Sequence, residues 1–273
     1  MSHIDHKIFF SKYSGAGNDF ILIDDRKEKF PSSNQTLIAQ LCHRQQGIGA
    51  DGLILLQNSS IAHFRMRIFN ANGKEAEMCG NGIRCLSKFA QKLGIEKKHF
   101  QIETMKDCIQ ATPQANNILI SMPSPREIKK IDFFHKKNSP IQLYLLDTGV
   151  PHAITFVNDL KLIDVPFEGA SIRNHSSFLP LGVNVNFVEM QKSKNQIWIR
   201  TYERGVENET LACGTGATAA ALVAAKVCQL ESPISVHVYS KAVLKIGFQY
   251  NGHSFQKVTM TGPATLTFEG SIF

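Results

Sequence analysis

Two cysteines stand in the same short motif, and their chemistry is the most informative feature of the sequence. Residues 79–82 read CGNG and residues 213–216 read CGTG, and each motif opens an apolar segment of helical periodicity. Each cysteine is therefore expected at a helix N-terminus, where the helix dipole and unsatisfied backbone N–H groups favour the thiolate. The adjacent glycines would leave those N–H groups open to a substrate anion such as a carboxylate.

A pair of such thiols predicts a two-base reaction at a carbon atom. One thiolate would remove a proton from one face of the carbon, and the opposite thiol would deliver a proton to the other face. This sequence of steps inverts a stereocentre. The N–H donors of the two helix starts would stabilise the developing enolate charge, and the scheme needs neither a cofactor nor a metal.

Packing, disulfide formation and zinc binding are the competing interpretations. A single cysteine before glycine is more often a small buried residue than a catalyst. Cys79 and Cys213 could also form a redox disulfide, or bind zinc with His152, although the sequence offers no third and fourth ligands at suitable spacing. The repetition of the motif favours catalysis. The other cysteines lack flanking glycines and are expected to be packing residues: Cys42, Cys85, Cys108 and Cys228.

The elements around the two motifs follow one plan in each half of the chain. Apolar and alternating runs predict strands at 8–10, 53–56, 100–104, 117–122, 142–148, 153–157, 184–189 and 197–202, with further strands from 234 onward. The stretch KYSGAGNDFILID (12–24) predicts a glycine-rich turn between two strand-like runs, and the segment 63–73 alternates before it turns on Asn72 and Gly73. A short helix is expected at 36–42, and the stretch that ends at Pro180 is expected to be rich in loops. The helix after Cys79 should bury one stripe, whereas the helix after Cys213 is apolar on nearly every side and must be enclosed by strands.

The predicted fold is α+β, with two similar domains that each wrap a mostly antiparallel sheet or barrel around a central helix. The active site is expected in the cleft between them. The predicted limits are 1–121 for the N-terminal domain and 122–263 for the C-terminal domain. The final strand, 264–273, can return to the N-terminal domain.

Composition places the chain among ordinary globular proteins of two domains. It has 273 residues, of which 43% are hydrophobic and 19% are charged. The net charge of +7 would suit an anionic partner, but the basic residues are scattered, so neither nucleic acid nor a membrane is expected as a partner. The densest basic stretch, 126–137, is expected to be a solvated loop or linker. The start resembles no signal peptide, no apolar run approaches the ~18 residues of a membrane span, and the cysteine usage indicates the cytoplasm.

Eight short motifs recur in an order that belongs to a known family. They are SGAGNDF (14–20), GIGADG (47–52), FNANG (69–73), MCGNGIRC (78–85), DTGVPH (147–152), GVNVNF (182–187), YERG (202–205) and ACGTGATA (212–219). In this set the chain resembles the diaminopimelate epimerases, pyridoxal-independent enzymes that interconvert LL- and meso-diaminopimelate. The resemblance implies a cytoplasmic homodimer that acts in lysine and peptidoglycan precursor synthesis.

The resemblance also implies a role for each matching site residue. Cys79 and Cys213 resemble the acid/base pair, and His152 and Glu203 resemble the groups that tune the two thiols. Residues that resemble the donors to the reacting carboxylate are Gly80, Asn81, Gly214 and Thr215. Residues that resemble those holding the amino-acid groups of the substrate are Asn18, Asn70, Asn184, Glu203 and Arg204. A buried histidine with satisfied hydrogen bonds is the alternative interpretation of His152.

One position departs from the family pattern. Many members carry asparagine before the Pro-His pair, whereas this chain has Val150. Valine neither donates nor accepts a hydrogen bond, so discrimination at the non-reacting end of the substrate is expected to be relaxed.

Three other functions compete with epimerisation of diaminopimelate. Proline and hydroxyproline racemases also use two cysteines, but their motif has MCGH where this chain has MCGN. Phenazine-pathway isomerases share the fold and lack the cysteine pair. A thiol redox or metal-binding protein would predict that Cys79 and Cys213 cross-link or chelate.

Overall fold

The structure is a computed structural model that describes residues 7–136, 139–191 and 195–272. The chain divides into two compact units. Unit 1 consists of Met1–Ile120 and Gly262–Phe273, and unit 2 consists of Ser121–Thr261.

Unit 1 contains two helices and nine strands among the described residues. The helices are α1 (Gln35–Cys42) and α2 (Gly80–Lys92). The strands are β1 (Ile8–Gly15), β2 (Asn18–Asp24), β3 (Gly52–Gln57), β4 (Phe64–Asn70), β5 (Glu75–Ala76), β6 (Phe100–Glu103), β7 (Cys108–Gln114), β8 (Asn117–Ser121) and β18 (Thr265–Ile272).

Unit 2 contains the remaining elements of the described chain. The helices are α3 (Val165–Arg173) and α4 (Gly214–Cys228), with short 3-10 helices at Leu160–Leu162 and Ser176–Phe178. The strands are β9 (Lys129–Lys136), β10 (Ser139–Asp147), β11 (Pro151–Phe156), β12 (Asn184–Gln191), β13 (Gln196–Glu203), β14 (Asn208–Thr210), β15 (Ile234–His237), β16 (Val243–Tyr250) and β17 (Phe255–Pro263).

The two units repeat the same pattern of strand pairing. In unit 1, β1–β2 is antiparallel, β2–β3 parallel across α1, β3–β4 and β4–β5 antiparallel, and β4–β6 parallel across α2. In unit 2, β10–β11, β11–β12, β12–β13, β13–β14 and β13–β15 have the same orientations in the same order, with α3 and α4 in the two parallel connections. Antiparallel pairing of β6 with β7 and β7 with β8 in unit 1 matches that of β15 with β16 and β16 with β17 in unit 2. The predicted α+β fold of two similar domains is confirmed, and α2 and α4 occupy equivalent places.

Each central helix is enclosed by the strands of its own unit. Helix α4 packs against β10 to β13, β15 and β16, and ten of its residues, from Gly216 to Ala225, are buried without interruption. This enclosure confirms the expectation for α4, because a helix without a polar face has no side suited to water. Helix α2 was expected to bury a single stripe, and that expectation is wrong, since Arg84, Cys85 and Ser87 are also fully buried.

The outer helices cover the opposite face of each sheet. In β3, Leu53 and Leu55 belong to the core around α1, while Ile54 points toward α2. Both faces of β3 are therefore buried, which accounts for the uninterrupted apolar run LILL at 53–56. In unit 2, Leu143, Val185 and Tyr202 form the corresponding core with Val165 and Ile172 of α3.

Several predictions of local structure are wrong. The stretch before Pro180 contains α3, which Asp164 caps by accepting a hydrogen bond from the Phe167 N–H. Most of the basic stretch 126–137 is strand β9, paired with β10, and its last residue lies outside the described residues. A strand side chain can point to solvent while its backbone pairs, so charge alone does not exclude a strand. Strands β5, β7 and β14 were not predicted, and Cys108 is exposed rather than packed.

Candidate active site

Both motif cysteines are N-cap residues, as the sequence predicts. Cys79 precedes α2 and Cys213 precedes α4, each with an extended backbone conformation. The Sγ atom of Cys213 accepts a hydrogen bond from the Gly216 N–H at 3.4 Å and lies 3.5 Å from Thr215 Oγ1. Donors at a helix N-terminus stabilise negative charge on the sulfur more than they stabilise the neutral thiol.

The last glycine of each motif allows the helix start to pack tightly. A Cβ atom on Gly82 would lie 2.9 Å from Ile54 Cδ1, and one on Gly216 would lie 2.4 Å from Asn186 Oδ1. Both distances are shorter than real Cβ contacts, so a side chain at either position would force its neighbour to shift. These two glycines therefore serve close packing on the sheet, a reason for glycine that the sequence analysis did not give.

The thiol of Cys79 faces the amide of Asn18. Its Sγ atom lies 3.7 Å from Asn18 Oδ1, and Asn81 Nδ2 donates to the same oxygen at 3.3 Å. Asn18 Nδ2 donates to Asp51 Oδ2 at 2.6 Å. Because a carboxylate only accepts, this bond fixes the orientation of the Asn18 amide and turns its oxygen toward Cys79.

A buried arginine of helix α2 holds this cluster in place through hydrogen bonds. Arg84 is fully buried, and its Nη2 donates to Asn81 Oδ1 at 2.8 Å while its Nε donates to the Pro263 carbonyl at 3.3 Å. Burial lowers the pKa of Arg84, and the nearby Cys85 and Cys79 thiols oppose that shift. The sequence analysis missed Arg84, although a charged residue in the apolar part of α2 was a visible signal. Burial raises the pKa of Cys85 to about 12, so this cysteine is a packing residue as expected.

His152 is a buried residue of strand β11 in unit 2. Its side chain is 1% exposed, and burial together with the charge of Arg204 lowers its pKa to about 3. The ring is therefore neutral at pH 7. Its Nδ1 atom is 3.1 Å from Asn186 Nδ2, whereas Nε2 is buried without a hydrogen-bond partner among the described residues.

The remaining candidates of unit 2 lie at the ends of β12 and β13. Asn184 Oδ1 accepts a hydrogen bond from the Arg204 backbone N–H at 2.8 Å, and the Arg204 guanidinium donates to the Leu181 carbonyl at 3.1 Å. Glu203 Oε2 accepts from Thr210 Oγ1 at 3.0 Å. Asn184 thus fixes the backbone that carries Arg204.

Equivalent elements of the two units supply the candidate residues. Asn70 is the last residue of β4 and Glu203 is the last residue of the equivalent strand β13. Asn18 is the first residue of β2, and His152 is the second residue of the equivalent strand β11. Unit 1 brings together Asn18, Cys79 and Asn81, with Gly80 between the last two. In unit 2, Asn184 accepts from the Arg204 N–H, Arg204 acts electrostatically on His152, and Glu203 directly precedes Arg204. The start of α4 holds Cys213, Gly214 and Thr215. Asn70 is exposed, and its strand pairing joins it to Gly52, next to Asp51.

Across the described ranges, no three or more His, Cys, Asp or Glu side chains cluster in a way that could hold a metal ion. None of the helices in the described part of the chain has the length and apolar character needed to cross a membrane.

Comparison with known sequences identifies close relatives along nearly the whole chain. The family model for diaminopimelate epimerase matches residues 10–126 and 144–267. The diaminopimelate epimerase of Flavobacterium psychrophilum is 41% identical over 263 residues, which cover 96% of this chain and 98% of the relative. That of Chlorobaculum tepidum is 40% identical over 263 residues, which cover 95% and 99%.

Solved structures share the fold at low sequence identity. A phenazine biosynthesis protein of the PhzF family from Bacillus anthracis superposes with a TM-score of 0.76 at 16% identity, covering 98% of this chain and 99% of its own. A probable proline racemase from Agrobacterium radiobacter gives a TM-score of 0.72 at 14% identity, covering 97% and 93%. The identity to the two epimerases, over almost their full length, carries the assignment: the chain belongs to the diaminopimelate epimerase family.

Proposed function

We propose that this chain is a cofactor-independent isomerase that converts LL-diaminopimelate to meso-diaminopimelate. The observation that carries the proposal is the placement of Cys79 and Cys213 as N-caps of the two equivalent central helices. The family and the named relatives supply the substrate. The product serves lysine and peptidoglycan precursor synthesis.

The chemistry assigns one acid and one base to the two cysteines. One thiolate takes the α-proton of the substrate and becomes a thiol, and the electron pair of the broken C–H bond moves into the adjacent carboxylate. The other cysteine, which begins as a thiol, gives its proton to the opposite face of the carbon and becomes a thiolate. Atoms and charge balance, and the enzyme ends with its two protonation states exchanged.

The donors at the helix starts stabilise the charge that develops on the carboxylate. Backbone N–H groups of α2 and α4 are suited to this task because the helix N-terminus is an anion site. The residues proposed to grip the reacting carboxylate are Gly80, Asn81, Gly214 and Thr215. The proposed tuning groups are His152 and Glu203.

The amino-acid groups of the substrate need both donors and acceptors. Amide side chains provide both, and a guanidinium can bind a carboxylate through two parallel hydrogen bonds. The residues proposed to hold these groups are Asn18, Asn70, Asn184, Glu203 and Arg204. The backbone contact from Asn184 to Arg204 supports a shared role for this pair.

Deuterium incorporation tests the mechanism directly. The reduced protein is incubated with LL-diaminopimelate in deuterium oxide without added cofactor, and α-deuteration and the meso isomer are both measured. Cys79→Ala and Cys213→Ala are each expected to abolish epimerisation, whereas Cys108→Ala, which changes an exposed cysteine, is the matched control. Epimerisation that persists in either single variant would contradict the two-base mechanism.

The same assay separates the alternatives. Inversion of proline or another amino acid, with no action on diaminopimelate, would assign a different racemase substrate to the same cysteines. Absence of α-proton exchange on every amino acid tested would favour the thiol redox or metal-binding function.

We also propose a cytoplasmic homodimer. The exposed apolar side chains of Phe9, Leu266 and Phe268 on the paired strands β1 and β18 support association, because such side chains are costly to leave in water. Size-exclusion chromatography with light scattering measures the state. A monomer at micromolar concentration would contradict it.

A further inference from the structure

The side chain of Asn186 has an orientation that its neighbours determine. Asn186 is fully buried, and its amide nitrogen lies 3.3 Å from the Ala153 carbonyl and 3.1 Å from His152 Nδ1. A backbone carbonyl can only accept, so the amide atom that faces it must be the nitrogen. The amide oxygen then accepts the hydrogen bond from Thr201 Oγ1 at 2.9 Å.

This orientation determines the tautomer of His152. Asn186 Nδ2 is a donor, so the His152 Nδ1 atom opposite it must be the acceptor and carries no proton. In the neutral ring the proton then resides on Nε2. An imidazolium would place two N–H groups against each other, which agrees with the low pKa of about 3 that burial and Arg204 impose on His152.

The charged groups around the ring do not change this assignment. Arg204, which follows β13, disfavours the protonated ring. Asp147 at the end of β10 accepts from the Gly149 N–H, and Glu203 at the end of β13 accepts from Thr210. Cys213 is held by the first turn of α4. No carboxylate is bonded to the His152 ring among the described residues.

The asparagine that holds the ring lies beside the Cys213 motif. A Cβ atom on Gly216 would lie 2.4 Å from Asn186 Oδ1 and 3.3 Å from Cys213 Sγ, so Asn186 packs against the first turn of α4. The Nε2 atom of His152 is buried without a hydrogen-bond partner among the described residues, a state it shares in this unit with His237 Nε2, which lies under the stacked ring of Trp198. A buried N–H donor without an acceptor is costly, which points to an acceptor that arrives with the reaction complex.

We propose that Asn186, held by Thr201, is a positioning residue that locks His152 in the neutral Nε2–H tautomer, so that His152 serves as a hydrogen-bond donor to an anionic atom of the reaction complex and not as a base. The proposal deepens the proposed function and rests on it for the identity of that complex. It leaves proton transfer at carbon to the two cysteines. Neither Asn186 nor Thr201 was a candidate from the sequence, although Asn184 and Asn186 alternate onto one face of β12.

Nitrogen NMR of histidine-labelled protein tests the tautomer without reference to activity. The His152 resonances are assigned by their loss in His152→Gln. We expect an unprotonated Nδ1 and a protonated Nε2 that do not titrate between about pH 5.5 and 8. A protonated Nδ1, or a ring that titrates near its ordinary pKa of about 6.5, would overturn the proposal.

Four variants test the role of the supporting residues. Thr201→Val removes the hydroxyl that holds Asn186, and Asn186→Asp replaces the amide donor by an acceptor of the same shape. We expect mixed tautomers in the first, a protonated Nδ1 in the second, and a fall in kcat of about tenfold or more in both. Thr201→Ser keeps the hydroxyl and should behave as wild type. Thr155→Val, the matched control, removes another buried hydroxyl from β11 and should leave the His152 spectrum unchanged.

The outcomes separate this proposal from the proposed function. Suppose that the wild-type enzyme is active, and that Thr201→Val has the wild-type His152 spectrum and the same activity as Thr155→Val. This result would overturn the positioning role of Asn186 and Thr201 and leave the epimerase function intact. An inactive wild type whose His152 still shows the Nε2–H tautomer would remove the proposed function and keep the tautomer lock.

Discussion

Adding one methyl group at Gly216 should displace Asn186 and lower the stability of unit 2. The new Cβ of Gly216→Ala would lie 2.4 Å from Asn186 Oδ1, and Asn186 cannot retreat without losing its bonds to Thr201 and His152. Overpacking of this kind costs about 1–3 kcal/mol. A buried amide that loses a partner costs about 1–3 kcal/mol more. Alanine gains about 1 kcal/mol over glycine within a helix, which leaves a net loss of about 1–5 kcal/mol.

Gly82→Ala is the matched variant in unit 1. Its Cβ would lie 2.9 Å from Ile54 Cδ1, the end of a flexible side chain that can turn away. The helix propensity gained by alanine should offset most of that cost, so its stability should stay within about 1 kcal/mol of wild type.

Unit-specific probes measure the two variants. Trp198 is the one tryptophan in the sequence, and it stacks on His237 in unit 2, so its fluorescence reports the urea unfolding of that unit. Amide hydrogen exchange in α2 reports the stability of unit 1. The packing argument would be refuted if Gly216→Ala unfolded at the same urea concentration as wild type, or if Gly82→Ala lost more stability.

Three further outcomes are expected. Val150→Asn should raise the ratio of activity on diaminopimelate to activity on simpler amino acids by about two- to tenfold, because it adds one hydrogen bond to the substrate. An unchanged ratio would show that residue 150 does not contribute to substrate discrimination. Burial tends to raise the pKa of Asp19, but hydrogen bonds from Arg44 and Lys12 outweigh it and lower the pKa to about 2. The carboxylate therefore adds stability that is complete above about pH 4 and lost as the pH falls toward 2; melting temperatures should show this loss in wild type, and an equal loss in Asp19→Asn would contradict it. Arg84→Met should cost about 1–3 kcal/mol in urea unfolding, because the buried oxygens bonded by the guanidinium lose their donor; a stability equal to wild type would count against its supporting role.

The two helix starts could be predicted from the sequence because their causes are local. A cysteine followed by glycines and an apolar run predicts an N-cap and a helix, and both Cys79 and Cys213 occupy that position. The continuous apolar surface of α4 predicts enclosure, since water offers such a helix no favourable side. The same reasoning located β3, whose side chains are all apolar until Gln57.

Other elements and contacts could not be predicted from the sequence because they depend on residues that are distant along the chain. Helix α3 lies in a stretch that was expected to be rich in loops, and its place becomes evident from the repeat of the pairing pattern, in which α3 corresponds to α1. Strand β9 pairs through its backbone, which the basic side chains do not reveal. The role of Arg84 depends on Pro263, which the chain brings to it from its last strands.

The sequence by itself determined the family, the two helix-capping cysteines and the enclosed helix, because each follows from residue type and short-range spacing. Tertiary structure alone decided the protonation and orientation of the surrounding groups. His152 owes its neutral ring to burial, and its tautomer to an asparagine and a threonine on two other strands. Burial and hydrogen-bond geometry exist only once distant strands have paired, so no local pattern could have specified them.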